Sequence, residues 1–164
     1  VACIYFCINE ADMLRIMSDM NICVGSDGYN FSYDRTITCT DPHPRSFGTF
    51  PRFLRLVREH ELMPLEDAVY KILGLTDRGI LREGAVADIT VFDPEAIRDC
   101  SEFTDSVKKP EGIRYVLVGG NVVLQNGIST GSRTGGVLKK GKADLFGRSN
   151  VIQIQKGENK YGTW

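Results

Sequence analysis

Ile22-Cys23-Val24-Gly25-Ser26-Asp27-Gly28 is the stretch on which the fold turns. Three apolar residues and a glycine run into a polar triplet, the pattern of a short buried strand that opens into a loop. Upstream, residues 1–8 form a second apolar, β-prone run. Between the two lie Asn9, suited to an N-cap, and Glu10 and Asp12, suited to a first helical turn. Met13, Leu14, Ile16, Met17 and Met20 follow at helical spacing. Strand, helix, strand with nearly continuous apolar strands is the grammar of a parallel sheet covered by helices. In such folds functional groups gather at the carboxyl ends of the strands, where Asp27 falls. A carboxylate there can take a proton from a metal-bound water. A plain Ser-Asp-Gly turn without chemistry fits the same triplet.

Downstream, a long polar loop is expected through Pro51, then a helix over 53–60 and another over 65–73, with Pro64 at the start of the latter and Gly74 at its end. From Arg78 the character changes, and Gly79, Gly84 and Asp93-Pro94 punctuate the chain. Strands are expected over 88–92, 113–118 and 122–125, with turns at Gly119-Gly120-Asn121 and Asn126-Gly127. Residues 100–110 read as a polar insertion, helical or irregular. A boundary near 75–84 divides a segment 1–78 from a β-rich module 79–140, with a polar tail at 141–164. Within the tail, Val151-Ile152-Gln153-Ile154-Gln155 alternates as an edge strand does, while the residues after Gly157 have the composition of disorder.

The chain has 164 residues, 42% hydrophobic and 25% charged, enough for a globular core. Lys plus Arg number 20 against 21 Asp plus Glu, so net charge −1 gives no reason to expect nucleic acid or an anionic membrane as partner. No apolar run is long enough to span a bilayer. The start, Val1-Ala2-Cys3-Ile4-Tyr5-Phe6, has neither a basic region nor a cleavage site, against a signal peptide; lacking an initiator Met, it suggests a partial chain. Five cysteines (Cys3, Cys7, Cys23, Cys39, Cys100) contain no Cys-x-x-Cys pair, which points to free thiols in a reducing, cytoplasmic setting.

His43-Pro44-Arg45-Ser46-Phe47-Gly48-Thr49-Phe50 is the other informative stretch. Arg45 can hold a carboxylate through two parallel hydrogen bonds, and Gly48 allows close backbone approach to a ligand. Composition alone favours a loop packed by Phe47 and Phe50 with Arg45 solvated. Together, however, Val24-Gly25-Ser26-Asp27-Gly28 and His43 through Arg52 resemble the N-acyl-D-amino-acid deacylase (D-aminoacylase) branch of the amidohydrolase superfamily. The likeness continues through Leu65-Glu66-Asp67-Ala68-Val69, Asp77-Arg78-Gly79-Ile80-Leu81-Arg82-Glu83-Gly84 and Ala87-Asp88-Ile89-Thr90-Val91-Phe92-Asp93-Pro94. It ends, after Gly112 to Val118, at Asn126-Gly127, Thr130-Gly131 and Arg133-Thr134-Gly135, and so covers roughly residues 1–140.

The resemblance implies an α/β plus β fold: the last two βα units of a (β/α)8 barrel, with strands at 1–8 and 22–25, followed by part of a small β-sandwich. It implies hydrolysis of the amide of N-acyl-D-amino acids by a zinc enzyme. Asp27 corresponds to the general base and acid, Arg45 to the group that holds the substrate's α-carboxylate, and Ser26 and Gly28 flank them in the substrate site. The family's metal ligands lie earlier, in a His-x-His pair, a cysteine and mid-barrel histidines. Here the only histidines are His43 and His60, so no zinc is expected on this chain alone. The loop from Asp27 to Arg45 is longer than in compact members, and a Met-Thr-x-x-Pro-Ala segment is missing after Leu75. A closed barrel needs about 250 residues. Two strands would therefore leave open edges, and the chain should self-associate, pair with a missing N-terminal portion, or repack. A degenerate, non-catalytic assembly module is the alternative.

Overall fold

A computed structural model describes residues 7–72 and 81–136. Helix α1 (Glu10–Ser18) begins as its sequence requires, with the Asn9 carboxamide oxygen accepting from the Ala11 N–H at 2.8 Å and the Asp12 N–H at 3.4 Å. No α1 residue is fully buried, although Met17 packs on the core. The buried Lys71 ammonium donates to the Asp19 carbonyl just past the helix end, where a cation suits the dipole.

Helix α2 (Arg45–Glu59) starts well before the expected 53 and absorbs the supposed loop through Pro51. Read as a breaker, Pro51 hides this helix, because an interior proline costs about 3 kcal/mol. Burial of Phe47, Phe53, Leu54, Leu56 and Val57 on one face outweighs it, at about 1.5–3 kcal/mol for each large apolar side chain. Helix α3 (Leu65–Ile72) lies where expected, and the Pro64 carbonyl accepts from the Ala68 N–H at 3.1 Å.

Four antiparallel strands follow in the order β1 (Ile89–Phe92), β2 (Ile113–Val118), β3 (Asn121–Gln125), β4 (Ile128–Ser129). Both hairpin turns put two successive residues at positive φ: Gly119 (56°) and Gly120 (80°), then Asn126 (49°) and Gly127 (76°). That is the type I′ geometry whose twist matches the strands. Residues 100–110 are irregular rather than helical.

The strand expected at 22–25 is not one. The Val24 N–H donates to the Lys71 carbonyl at 3.1 Å, which docks the segment on the end of α3 instead of in a ladder. A strand exists only beside another strand, and β1–β4 pair only among themselves. Of the companion run, Cys7 and Ile8 are exposed and irregular, and residues 1–6 lie outside the described residues. So do the linker and its neighbours at 73–80 and the whole of 137–164, including Val151–Gln155.

Phe53, Leu54 and Val57 of α2, Ala68 and Val69 of α3, Phe92 of β1 and Ile97 form one buried cluster. The loop after β1 closes against Gly112, whose φ is 86° and whose Cβ, were there one, would lie 2.5 Å from Ile97 N. Gly112→Ala therefore combines left-handed strain with a backbone clash and should cost about 2 kcal/mol or more. A thermal midpoint lowered by roughly 5 °C or more is expected by circular dichroism. An unchanged midpoint would contradict this packing.

Candidate functional site

The Ser26 hydroxyl accepts from the Gly28 N–H at 3.2 Å, which folds the triplet into a tight turn. Asp27, at its apex, adopts φ 47°, a left-handed conformation that Asp tolerates better than most residues. Gly28 meets the start of α2 so closely that a Cβ would fall 2.8 Å from Ser46 Cα. Beyond it, the Tyr29 N–H donates to Ser46 Oγ at 3.3 Å. The turn thus abuts the first residues of α2, and Asp27 Oδ2 lies 3.1 Å from Arg45 Nη2. Ser26, Asp27, Gly28 and Arg45, all named from sequence, meet at one place.

The site is open. The Asp27 side chain is 87% exposed and that of Arg45 41%. An ion pair in that setting contributes about 0–1 kcal/mol, so glycine packing and the Ser46 bond hold the turn more than the charges do. Arg45 is further placed by its own N–H, which donates to His43 Nδ1 at 3.1 Å. Partial burial, and then the Arg45 charge, push the His43 pKa below its ordinary 6.5, which favours the neutral imidazole that this acceptor role needs. The His43 ring stands edge-on to Phe103, 5.1 Å between centroids.

The segment between turn and helix is well tied. Asp34 Oδ1 accepts from the Thr36 N–H at 2.8 Å and its hydroxyl at 2.6 Å, and Arg35 bridges Asp41 at 2.8 Å and Asp105 at 2.6 Å. Phe31 and Tyr33 lean on the buried Phe47 ring at 6.3 Å and 4.9 Å. Gly48 does not line a ligand path. A Cβ there would come 3.1 Å from Asp99 Cβ, so the glycine lets α2 pack on the loop after β1.

Sequence reasoning missed a second polar cluster farther along α2. Asp99, whose side chain is 9% exposed, accepts from Arg55 Nε at 2.9 Å, with Arg52 at 3.8 Å. Arg58 Nη1 donates to the carbonyls of Pro94 at 2.7 Å and Ile97 at 3.1 Å. These flank a groove of about 920 Å3 whose arginines and carboxylates offset one another. The i, i+3 spacing of Arg52, Arg55 and Arg58 was visible in sequence, but their partners on a distant loop were not. An apolar groove of about 350 Å3, lined by Met17, Ile22, Val24 and Phe53 with Lys71, reaches Gly25 beside the turn.

Among the described residues no three of His, Cys, Asp and Glu gather to hold a metal, so their donor set does not fit one. Cys7, Cys23 and Cys39 are exposed free thiols and Cys100 is half-buried. No helix among the described residues is long and apolar enough to cross a membrane.

The sequence model of the amidohydrolase family matches residues 16–124. The chain belongs to the amidohydrolase family, and its relatives lie in the N-acyl-D-amino-acid deacylase branch. It is 39% identical over 148 residues to N-acyl-D-aspartate deacylase of Alcaligenes xylosoxydans xylosoxydans, covering 85% of this chain and 28% of the relative. A crystal structure of D-aminoacylase superposes with a TM-score of 0.67 at 36% identity, covering 78% of this chain and 27% of that one. N-acyl-D-glutamate deacylase of Bordetella bronchiseptica, complexed with zinc and a phosphonate inhibitor that mimics the tetrahedral intermediate, gives 0.64 at 32% identity, covering 91% of this chain and 28% of that one. The chain thus spans little more than a quarter of the length of the proteins it matches.

Proposed function

We propose that this chain supplies the acid–base carboxylate and the carboxylate-binding arginine of an N-acyl-D-amino-acid deacylase site completed by other polypeptide. The observation that carries the reading is the meeting of Asp27 and Arg45 at 3.1 Å on an open face. Water attacks the amide carbonyl carbon, and Asp27 takes the proton that the water sheds. It then passes that proton to the leaving nitrogen as the C–N bond breaks, leaving a carboxylate and a free D-amino acid. Arg45 holds the substrate's α-carboxylate and thereby fixes the amide relative to Asp27. Ser26 and Gly28 shape the turn. Zinc accompanies the Bordetella relative. The described residues here offer no donor set for it, so its ligands belong to other parts of the complete site.

In the assembled protein, residues 1–78 are the final portion of a (β/α)8 barrel, 79–140 part of a β-sandwich and 141–164 a tail. Exposed Ile8 (76%), Ile16 (53%) and Ile22 (41%) support this, since such side chains need cover. The cover is an N-terminal portion or, in a homo-oligomer, a second copy, and the setting is cytoplasmic. The rival reading is a non-catalytic assembly module. Mixing decides between them. Alone, the chain should not hydrolyse N-acetyl-D-amino acids. With an N-terminal portion of a complete deacylase carrying the first six barrel units, it should do so, and a zinc chelator should abolish the activity. A stable but inactive complex would favour the module.

A further inference from the structure

We propose that Ser46 is a positioning residue for Asp27, an inference that rests on the acid–base reading of that carboxylate. Asp27 sits at the apex of a left-handed turn with its side chain largely in solvent, and so has little side-chain packing to fix its direction. What fixes it is the turn's seat on α2. On one side Gly28 lies against the Ser46 backbone, so closely that only a glycine fits without a shift. On the other, Ser46 Oγ accepts the Tyr29 N–H at 3.3 Å. One residue therefore grips the turn at two points just after the carboxylate. The same residue directly follows Arg45 on the helix, so the grip also sets the distance between the two working groups.

The hydroxyl is the separable half of this grip. Without it the Tyr29 N–H loses its acceptor and the turn can lift from the helix, while Arg45, still in the first turn of α2 and bonded to His43, stays in place. Ser46 thus acts on the proton-transfer step through Asp27 and not on carboxylate binding.

Ser46→Ala and Ser46→Thr in the full chain test this with two readouts. Exchange of the Tyr29 amide, followed by NMR in the chain alone, should accelerate about tenfold in the alanine variant and little in the threonine variant, the shift expected for losing one hydrogen bond. In the complemented enzyme, Ser46→Ala should lower kcat by roughly 10–100-fold with KM within about twofold, and Ser46→Thr should recover most of it. Accelerated exchange with kcat unchanged would make Ser46 merely structural and overturn the proposal. So would unchanged exchange in Ser46→Ala, or a loss confined to KM. If the complemented wild type is itself inactive, the deacylase reading fails and the catalytic role of Ser46 with it, whereas the exchange rates still report the grip.

Discussion

Asp27→Asn in the complemented enzyme lowers kcat about 10²–10⁴-fold, the range supplied by a positioned acid–base group. Asparagine has the shape of the aspartate and accepts positive φ as readily, so the turn at φ 47° survives the change. It cannot accept the proton of the attacking water. KM should change little, because carboxylate binding is assigned to Arg45, and the Tyr29 amide should exchange as in the wild type. An Asp27→Asn variant with wild-type kcat would show that Asp27 only shapes a bend.

Arg45→Lys should raise KM for N-acetyl-D-amino acids by roughly 10–100-fold, the equivalent of losing one charge-assisted hydrogen bond of about 1.5–3 kcal/mol. Lysine keeps the charge but not the fork that engages both oxygens of a carboxylate. It also breaks the reach to Asp27 Oδ2, which at 87% exposure contributes little to stability, so the fold should be unaffected. Substrates whose α-carboxylate is esterified should be poor for the wild type and nearly indifferent to the substitution. If both enzymes treat ester and acid alike, Arg45 does not bind the carboxylate.

Local chemistry made much of this molecule legible. The cap on α1 followed from Asn9, the start of α3 from Pro64, and the β3–β4 turn from Asn126-Gly127, because each acts on its immediate neighbours. The meeting of Asp27 with Arg45 was expected only through family resemblance, since no spacing rule links residues across a loop that long. The beginning of α2 was hidden because Pro51 reads as a breaker until the burial of Phe47 and Phe53 is known. Residues 22–25 read as a strand from their apolarity, but a ladder needs a neighbour and the described chain provides none. Ser46 and Asp99 were missed for one reason: each gains its importance from a partner distant in sequence, Tyr29 in one case and Arg55 in the other.

Asp27 and Arg45 should act as two halves of one substrate site. A crystal structure of the complemented enzyme with a phosphonate analogue of an N-acyl-D-amino acid tests it most directly. Arg45 should be forked onto the analogue's α-carboxylate, with an Asp27 oxygen about 3 Å from a phosphonate oxygen, within hydrogen-bond reach. An analogue bound elsewhere, with Asp27 still facing solvent, would contradict it.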